Sequence, residues 1–281
     1  MTPKMNILQL VYQWLCDKRN GRWLMILDNA DNDSIFFNGD NCDELDKRGP
    51  LVNFLPQVTQ GFVLVTSRNR LAARNLVGDD RVIEIQPMNE YESLSLLRGK
   101  ILSTHSTNET AVDEKALVQA LEYLPLAITQ ARSYIANRAP RITVSGYLEL
   151  FRESESNQTH LLQHEDAKDL RRDPSIRHAV ITTWQLSFEQ IRHEQPEATD
   201  LLALMSIFDR QGIPESLVRE GDDMLLFEDA LAPLISYSLI RSDIERQSFE
   251  MHRTVQLSIR AWLKGQGQLD RWAKISRNVM T

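Results

Sequence analysis

Two continuous apolar runs constrain this chain more than any other feature: Trp23-Leu24-Met25-Ile26-Leu27, stopped by Asp28, and Phe62-Val63-Leu64-Val65, stopped by Thr66-Ser67-Arg68. Neither alternates apolar with polar positions, so each predicts a strand buried on both faces, the state of strands in a parallel sheet. Parallel neighbours need a crossover, and the flanking sequence supplies helical spacing for it. Ile7, Leu8, Val11, Tyr12, Trp14 and Leu15 recur three and four residues apart between Met5 and Leu15, with Asn20-Gly21 as the stop, and a short helical stretch, Leu71 to Val77, follows the second run. Val82-Ile83-Glu84-Ile85, ending at Pro87, reads as a third strand. The expectation is an α/β start built on a partial parallel sheet, with the strand carboxyl ends as the place for ligands.

Beyond Asn89 the spacing is helical: Glu90 to Leu102, Asp113 to Ile135, and Thr143 to Phe151 with Thr143 as N-cap. Glu153 to Pro174 is polar and weakly periodic, and reads as a linker or an exposed helical arm. Ala179 to Ile191 and Pro196 to Phe208 are amphipathic again, followed by short helices at Glu215 to Arg219 and Leu226 to Ser236. Leu239 to Asp243 and Ser248 to His252 are extended runs around a polar turn, and Val255 to Leu263 is a closing helix. Helices, then a hairpin, is the order of a winged-helix domain. The fold class is therefore α/β first, then all-α, then winged helix.

Several function classes fall away on composition. With 32 Lys and Arg against 39 Asp and Glu, the formal charge is -7, so the surface lacks the overall positive field that draws a phosphate backbone. Arg171 and Arg172 are interleaved with acids, so no nucleic-acid partner is expected. No apolar run approaches the ~20 residues of a bilayer span, and Met1 to Leu10 does not read as a secretory signal. The two cysteines, Cys16 and Cys42, suggest reduced thiols; a cytoplasmic chain without a membrane partner is the expectation.

Chemistry concentrates at a few points. Asp28, at the tip of an apolar strand, suits Mg²⁺ binding, because the sheet fixes the carboxylate while the strand end exposes it; a cap of the following turn accounts for the same residue. Asp31-Asn32-Asp33 resembles a calcium loop but lacks its later glycine and acid. Thr66, Ser67 and Arg68 place hydroxyls and a guanidinium beside the next strand tip, suited to a terminal phosphate, or simply a loop start. Pro125 interrupts a helical stretch, where a proline removes a backbone donor and bends the chain; a simple helix kink accounts for it. His252 follows a strand and is either structural or a phosphate ligand. His160 and His164 share a helix face but lack a third ligand for zinc.

In chain order, LMILDNAD (24 to 31), FVLVTSRN (62 to 69), IEIQPMNEYESLSLL (83 to 97), YLPLAI (123 to 128), TTWQLSFEQI (182 to 191) and FEMHRTVQ (249 to 256) together resemble the NB-ARC core of STAND-class P-loop NTPases, of the fungal NOD-like receptor type normally followed by tetratricopeptide repeats. The resemblance implies a partial nucleotide-binding α/β domain at 1–88, an ARC1-like helical domain at 89–152, a linker or arm at 153–178, an ARC2-like winged helix at 179–265 and a tail at 266–281 leading towards a repeat region. It implies ADP or ATP with Mg²⁺ as ligands. By position, Asp28 matches the Walker B metal acid, Arg68 the sensor arginine near the γ-phosphate, Pro125 the proline lining the adenine pocket, and His252 the histidine touching the ADP β-phosphate.

Three departures bear on that transfer. No Gly-x-x-x-x-Gly-Lys-Ser/Thr occurs in the sequence, Asn29 stands where many relatives carry a second acid, and Arg253 replaces the acid of the Met-His-Asp signature. The implied protein is an ADP/ATP-binding switch module in truncated form, with nucleotide binding weakened or lost and at most weak ATPase activity. It would engage protein partners or self-associate through NB-ARC surfaces. The alternative is a nucleotide-free scaffold that keeps the helical and winged-helix domains for protein interaction.

Overall fold

The computed structural model describes residues 7–38, 50–99, 108–163, 180–219 and 223–279. It is a mixed α/β chain, mostly helical, with a small parallel sheet. It divides into two units, Met1–Glu84 with Ser236–Ser238, and Ile85–Ile235 with Leu239–Thr281.

In the first unit the described elements are α1 (Ile7–Cys16), β1 (Trp23–Leu27), α2 (Ser34–Phe37), β2 (Gly61–Val65) and α3 (Arg70–Val77). The two predicted strands form, and they pair in parallel with Trp23 opposite Gly61 and Leu27 opposite Val65. Gly61 is required by this register: a Cβ there would lie 2.0 Å from the Trp23 indole. That indole in turn donates from Nε1 to the Leu15 carbonyl at 2.7 Å, fastening β1 to the end of α1. Helix α3 starts where Asn69 caps it, its side-chain oxygen accepting from the amides of Leu71 and Ala72, and stops at Gly78, whose φ of 87° suits glycine alone.

Two expectations fail here. The strands are not buried on both faces: Leu24, Ile26, Phe62 and Leu64 are each at least half exposed, while the alternate positions are half-buried. The described sheet holds only two strands, so nothing among the described residues covers that face. Val82 to Ile85 forms no strand either. With no ladder partner an extended segment cannot count as a strand, and Ile83 and Ile85 are 84% and 87% exposed.

The second unit carries α4 (Glu90–Arg98), α5 (Asn108–Ala120), α6 (Pro125–Asn137), α7 (Val144–Glu153), α8 (Glu155–Gln163), α9 (Val180–Glu194), α10 (Pro196–Ile207), β3 (Ile213–Pro214), α11 (Glu215–Val218), α12 (Met224–Ser236), β4 (Ile240–Asp243), β5 (Ser248–Met251), α13 (Arg253–Gly265) and α14 (Leu269–Val279). Asn89 and Glu92 form a reciprocal capping box at the start of α4, and Thr143 caps α7 as its sequence predicts. Leu97, Leu117, Leu121, Ile128, Tyr147 and Leu162 are buried together at the centre of α4 to α8, and Leu257 of α13 joins them. Strands β3, β5 and β4 make an antiparallel sheet in that order, with Ile240 opposite Met251 and Ile213 opposite Phe249.

The predicted helix from Asp113 to Ile135 is two helices. Glu122 and Tyr123 adopt left-handed backbone, φ 53° and 57°, and Pro125 opens α6. Proline is accommodated there because the first helical residues have no intrahelical acceptor to satisfy, so it starts a helix rather than kinking one. The polar stretch after Phe151 begins with α8, whose Leu161 and Leu162 are buried. The sequence pattern also gave no sign of α14, which packs on α10 and buries Trp272.

Candidate functional site

In the first unit the parallel register delivers two strand tips side by side. Asp28 is exposed just past β1, and the Thr66 hydroxyl just past β2 donates to its Oδ1. The same hydroxyl accepts from the Asn29 amide at 3.0 Å, and the Ala30 amide reaches the Thr66 carbonyl at 2.9 Å. Asn29 takes a left-handed φ of 57°, a conformation that asparagine tolerates better than most side chains. The turn after β1 is thereby clamped to the end of β2, and one carboxylate oxygen of Asp28 is engaged by protein.

Arg68 is held by a residue that the motif reading did not assign. Asp31 is 7% exposed; its Oδ1 accepts from the Arg68 amide at 2.6 Å, and its Oδ2 accepts from Nε at 2.7 Å and pairs with the second guanidinium nitrogen at 2.5 Å. The Ser67 hydroxyl adds a bond to Oδ1 at 3.2 Å, and the Asn69 amide side chain reaches the Asp31 carbonyl at 3.1 Å. Two guanidinium nitrogens of Arg68 thus converge on one carboxylate oxygen while its backbone amide takes the other, a charge-assisted set of hydrogen bonds. Its only sequence signal is an acid three residues beyond the strand-tip acid.

Among the described residues no three His, Cys, Asp or Glu side chains gather as a metal cluster. A Mg²⁺ at this tip would be held by the Asp28 carboxylate, whose Oδ1 already accepts from Thr66. The donor chemistry of the strand tips fits that role. His164, and with it the paired-histidine idea, lies outside the described residues, as does Cys42.

In the second unit Pro125 is exposed at the first position of α6. His252 is the N-cap of α13 and makes no side-chain cap bond of its own. Its Nδ1 lies 2.9 Å from Oε2 of Glu122, the left-handed residue just before the Tyr123-Leu124-Pro125 turn. The same oxygen accepts from the Arg253 amide at 2.8 Å, and Arg210 pairs with Oε1 at 3.0 Å. Burial pushes the Glu122 carboxyl up, but the hydrogen bond and charge of His252, the Arg210 guanidinium and the Arg253 amide outweigh it, and the carboxyl sits below its ordinary 4.5. Glu122 is thus an acceptor for three donors from different parts of this unit.

Arg253, the departure from the Met-His-Asp signature, also has a structural partner set. Its Nε and one terminal nitrogen donate to Oε1 of Gln158 on α8 at 3.2 and 3.1 Å, and the other terminal nitrogen donates to Gln256 at 3.3 Å. Arg260, two turns further on, pairs with Glu155 at 2.6 Å. A basic residue at 253 ties α13 to α8.

Residues 189–267, from the end of α9 to just past α13, match a family described as a domain of unknown function (DUF7779). The chain is 33% identical over 269 residues to a nucleotide-binding leucine-rich repeat (NLR)-like protein of Hyaloscypha variabilis, an alignment that covers 95% of this chain and 27% of that protein. The chain thus spans about a quarter of that relative's length. Likeness at this level along both units supports an NLR-like relationship. No described helix is long and apolar enough to cross a membrane.

Proposed function

We propose that this chain is the nucleotide-responsive switch module of an NLR-like signalling protein, an NB-ARC core of the STAND class that binds ADP or ATP with Mg²⁺. The observation that carries the reading is the pair of parallel strand tips: Asp28 and Thr66-Ser67-Arg68 emerge together at the carboxyl end of β1 and β2, where open α/β sheets bind ligands. On this reading β1 and β2 are the Walker B and sensor strands of a P-loop NTPase-like domain. Elements α9 to α13 with β3, β4 and β5 make the winged helix, and His252 is its phosphate ligand. Pro125 lines the adenine.

The chemistry of such a switch follows from what the side chains already do. Asp31 occupies the Arg68 guanidinium, so a γ-phosphate would have to compete with or share that carboxylate, making the pair a sensor with a built-in threshold. These 281 residues hold no phosphate-loop motif, so the amides and lysine of such a loop are not among the groups they supply. Asn29 offers no strong base for water, so turnover is slow at best. The module then acts by binding: nucleotide state biases protein association or self-association.

The test is calorimetry of ADP with Mg²⁺ on the purified chain and on His252→Ala. Binding in the micromolar range that is lost in the variant supports the switch. Absence of heat with the folded wild-type chain removes it.

A further inference from the structure

The contacts of Glu122 form a connected set that the nucleotide reading leaves unused. It sits between α5 and α6 on a left-handed φ of 53°, with Tyr123 left-handed after it, a backbone that non-glycine residues adopt at a cost of about 1 kcal/mol or more each. That strain is retained while the carboxylate reaches the first turn of α13. There it substitutes for the missing side-chain cap of His252 by accepting from the Arg253 amide at 2.8 Å, and it meets His252 Nδ1 at 2.9 Å and Arg210 at 3.0 Å. Arg210 is itself fixed at its backbone, where its carbonyl accepts from the Met251 amide at 2.9 Å. The carboxyl is held below its ordinary range, so it is ionised at neutral pH and can only accept. The proton shared with His252 therefore belongs to Nδ1.

One consequence concerns the other ring nitrogen. Nε2 has no hydrogen-bond partner among the described residues, and it is not among the buried polar atoms left unpaired. The ring is thus held by one edge with its second nitrogen open. We propose that Glu122 is the positioning residue of His252: its carboxylate holds a proton on Nδ1 and turns Nε2 outward as the atom that, once the ring carries its second proton, meets a phosphate oxygen. When the ring also carries its second proton, Nε2–H donates to the phosphate and the Glu122 carboxylate supplies the opposite charge for the imidazolium. Arg210, from the segment after α10, is the other charged group at that carboxylate, and Arg253 of α13 reaches it through its backbone amide. This deepens the reading of His252 as the phosphate ligand and rests on it for the ligand, though not for the orientation of the ring.

The experiment is nitrogen-15 ring NMR of the histidine-labelled full chain at about pH 8.5, where an imidazole is ordinarily neutral, with His252→Gln to assign the signals. ADP titrations of the same proteins at about pH 5.5, where an imidazole ordinarily carries both ring protons and Nε2 can donate, accompany it. Wild type should show His252 protonated at Nδ1. Glu122→Ala should move the proton to Nε2, and Glu122→Gln, which keeps an acceptor oxygen, should restore Nδ1. ADP affinity should fall about tenfold in Glu122→Ala, the loss expected when one charge-assisted contact is no longer oriented, with partial recovery in Glu122→Gln. An Nε2-protonated ring in wild type overturns the proposal outright, even if Glu122→Ala does not fold. So does a Glu122→Ala chain that keeps the Nδ1 form, or one that binds ADP as wild type does while His252→Ala has lost it. A wild type with the Nδ1 form but no ADP binding sustains the orientation and removes the phosphate reading.

Discussion

Asp31 is the residue on which the first unit leans most heavily. It is buried, it receives the backbone and side chain of Arg68 and the Ser67 hydroxyl, and its own carbonyl binds Asn69. Because the Arg68 side chain is about a third exposed, solvent screens part of the pair, and Asp31→Ala should cost on the order of 1–3 kcal/mol rather than the larger penalty of a fully buried ion pair. Urea unfolding of the variant measures this; a loss below about 0.5 kcal/mol would show that the pair is only a surface contact. Glu122 gives a pH prediction. Its carboxyl is depressed in the folded chain, so its contribution to stability is present above the ordinary carboxyl value of 4.5 and is lost as pH falls below it. Thermal unfolding followed from about pH 6 to about pH 3 should show a drop that Glu122→Gln flattens; equal slopes would contradict it. Neither residue was legible as a partner in the sequence. Asp28 and Arg68 announce themselves because each ends an unbroken apolar run, whereas Asp31 meets Arg68 across 37 residues and Glu122 meets His252 across 130. Local pattern carries no record of such pairings.

Helix ends and strands divide in the same way between what is local and what is not. The α4 capping box is written in Asn89 and Glu92, three residues apart, and Asn89→Ala should destabilise the second unit by about 1 kcal/mol, seen as a lowered unfolding midpoint. No change would mean that α4 is held by the packing of Leu94 and Leu97 alone. Strands β1, β2, β4 and β5 were readable from apolar or extended runs, but the strand expected at Val82 to Ile85 was not formed, because apolar character does not supply a ladder partner. Nor could the runs in β1 and β2 tell that one of their faces stays open. That open face makes a prediction: Leu24→Thr with Phe62→Thr should change stability by no more than about 0.5 kcal/mol and lower the binding of a hydrophobic dye. A large loss of stability would show that the face is covered in solution. At the other end of the chain, α14 is amphipathic enough to bury Trp272, yet its short pattern after Gly265 and Gly267 gave the sequence reading no helix to find.

Taken as a chain, the protein presents two units whose chemistry is of one kind. The first brings a carboxylate and a restrained arginine to neighbouring strand tips, and the second holds a histidine by one ring nitrogen at the start of α13. Acid, guanidinium and imidazole are the groups that metal-bound phosphates call for, and the acidic balance of the sequence disfavours a polyanion as their target. On the function proposed above, the ligand is a nucleoside diphosphate with Mg²⁺. Much of this order was visible in six short segments of sequence. The restraints on two of these groups, Asp31 on Arg68 and Glu122 on His252, came only with the fold. The most direct measurement is a paired calorimetric titration of the chain, in Mg²⁺, with ADP and with AMP. A module that reads the β-phosphate should bind ADP about tenfold or more tightly than AMP, the difference one charge-assisted phosphate contact makes. Equal affinities, or no binding of either, would contradict the account.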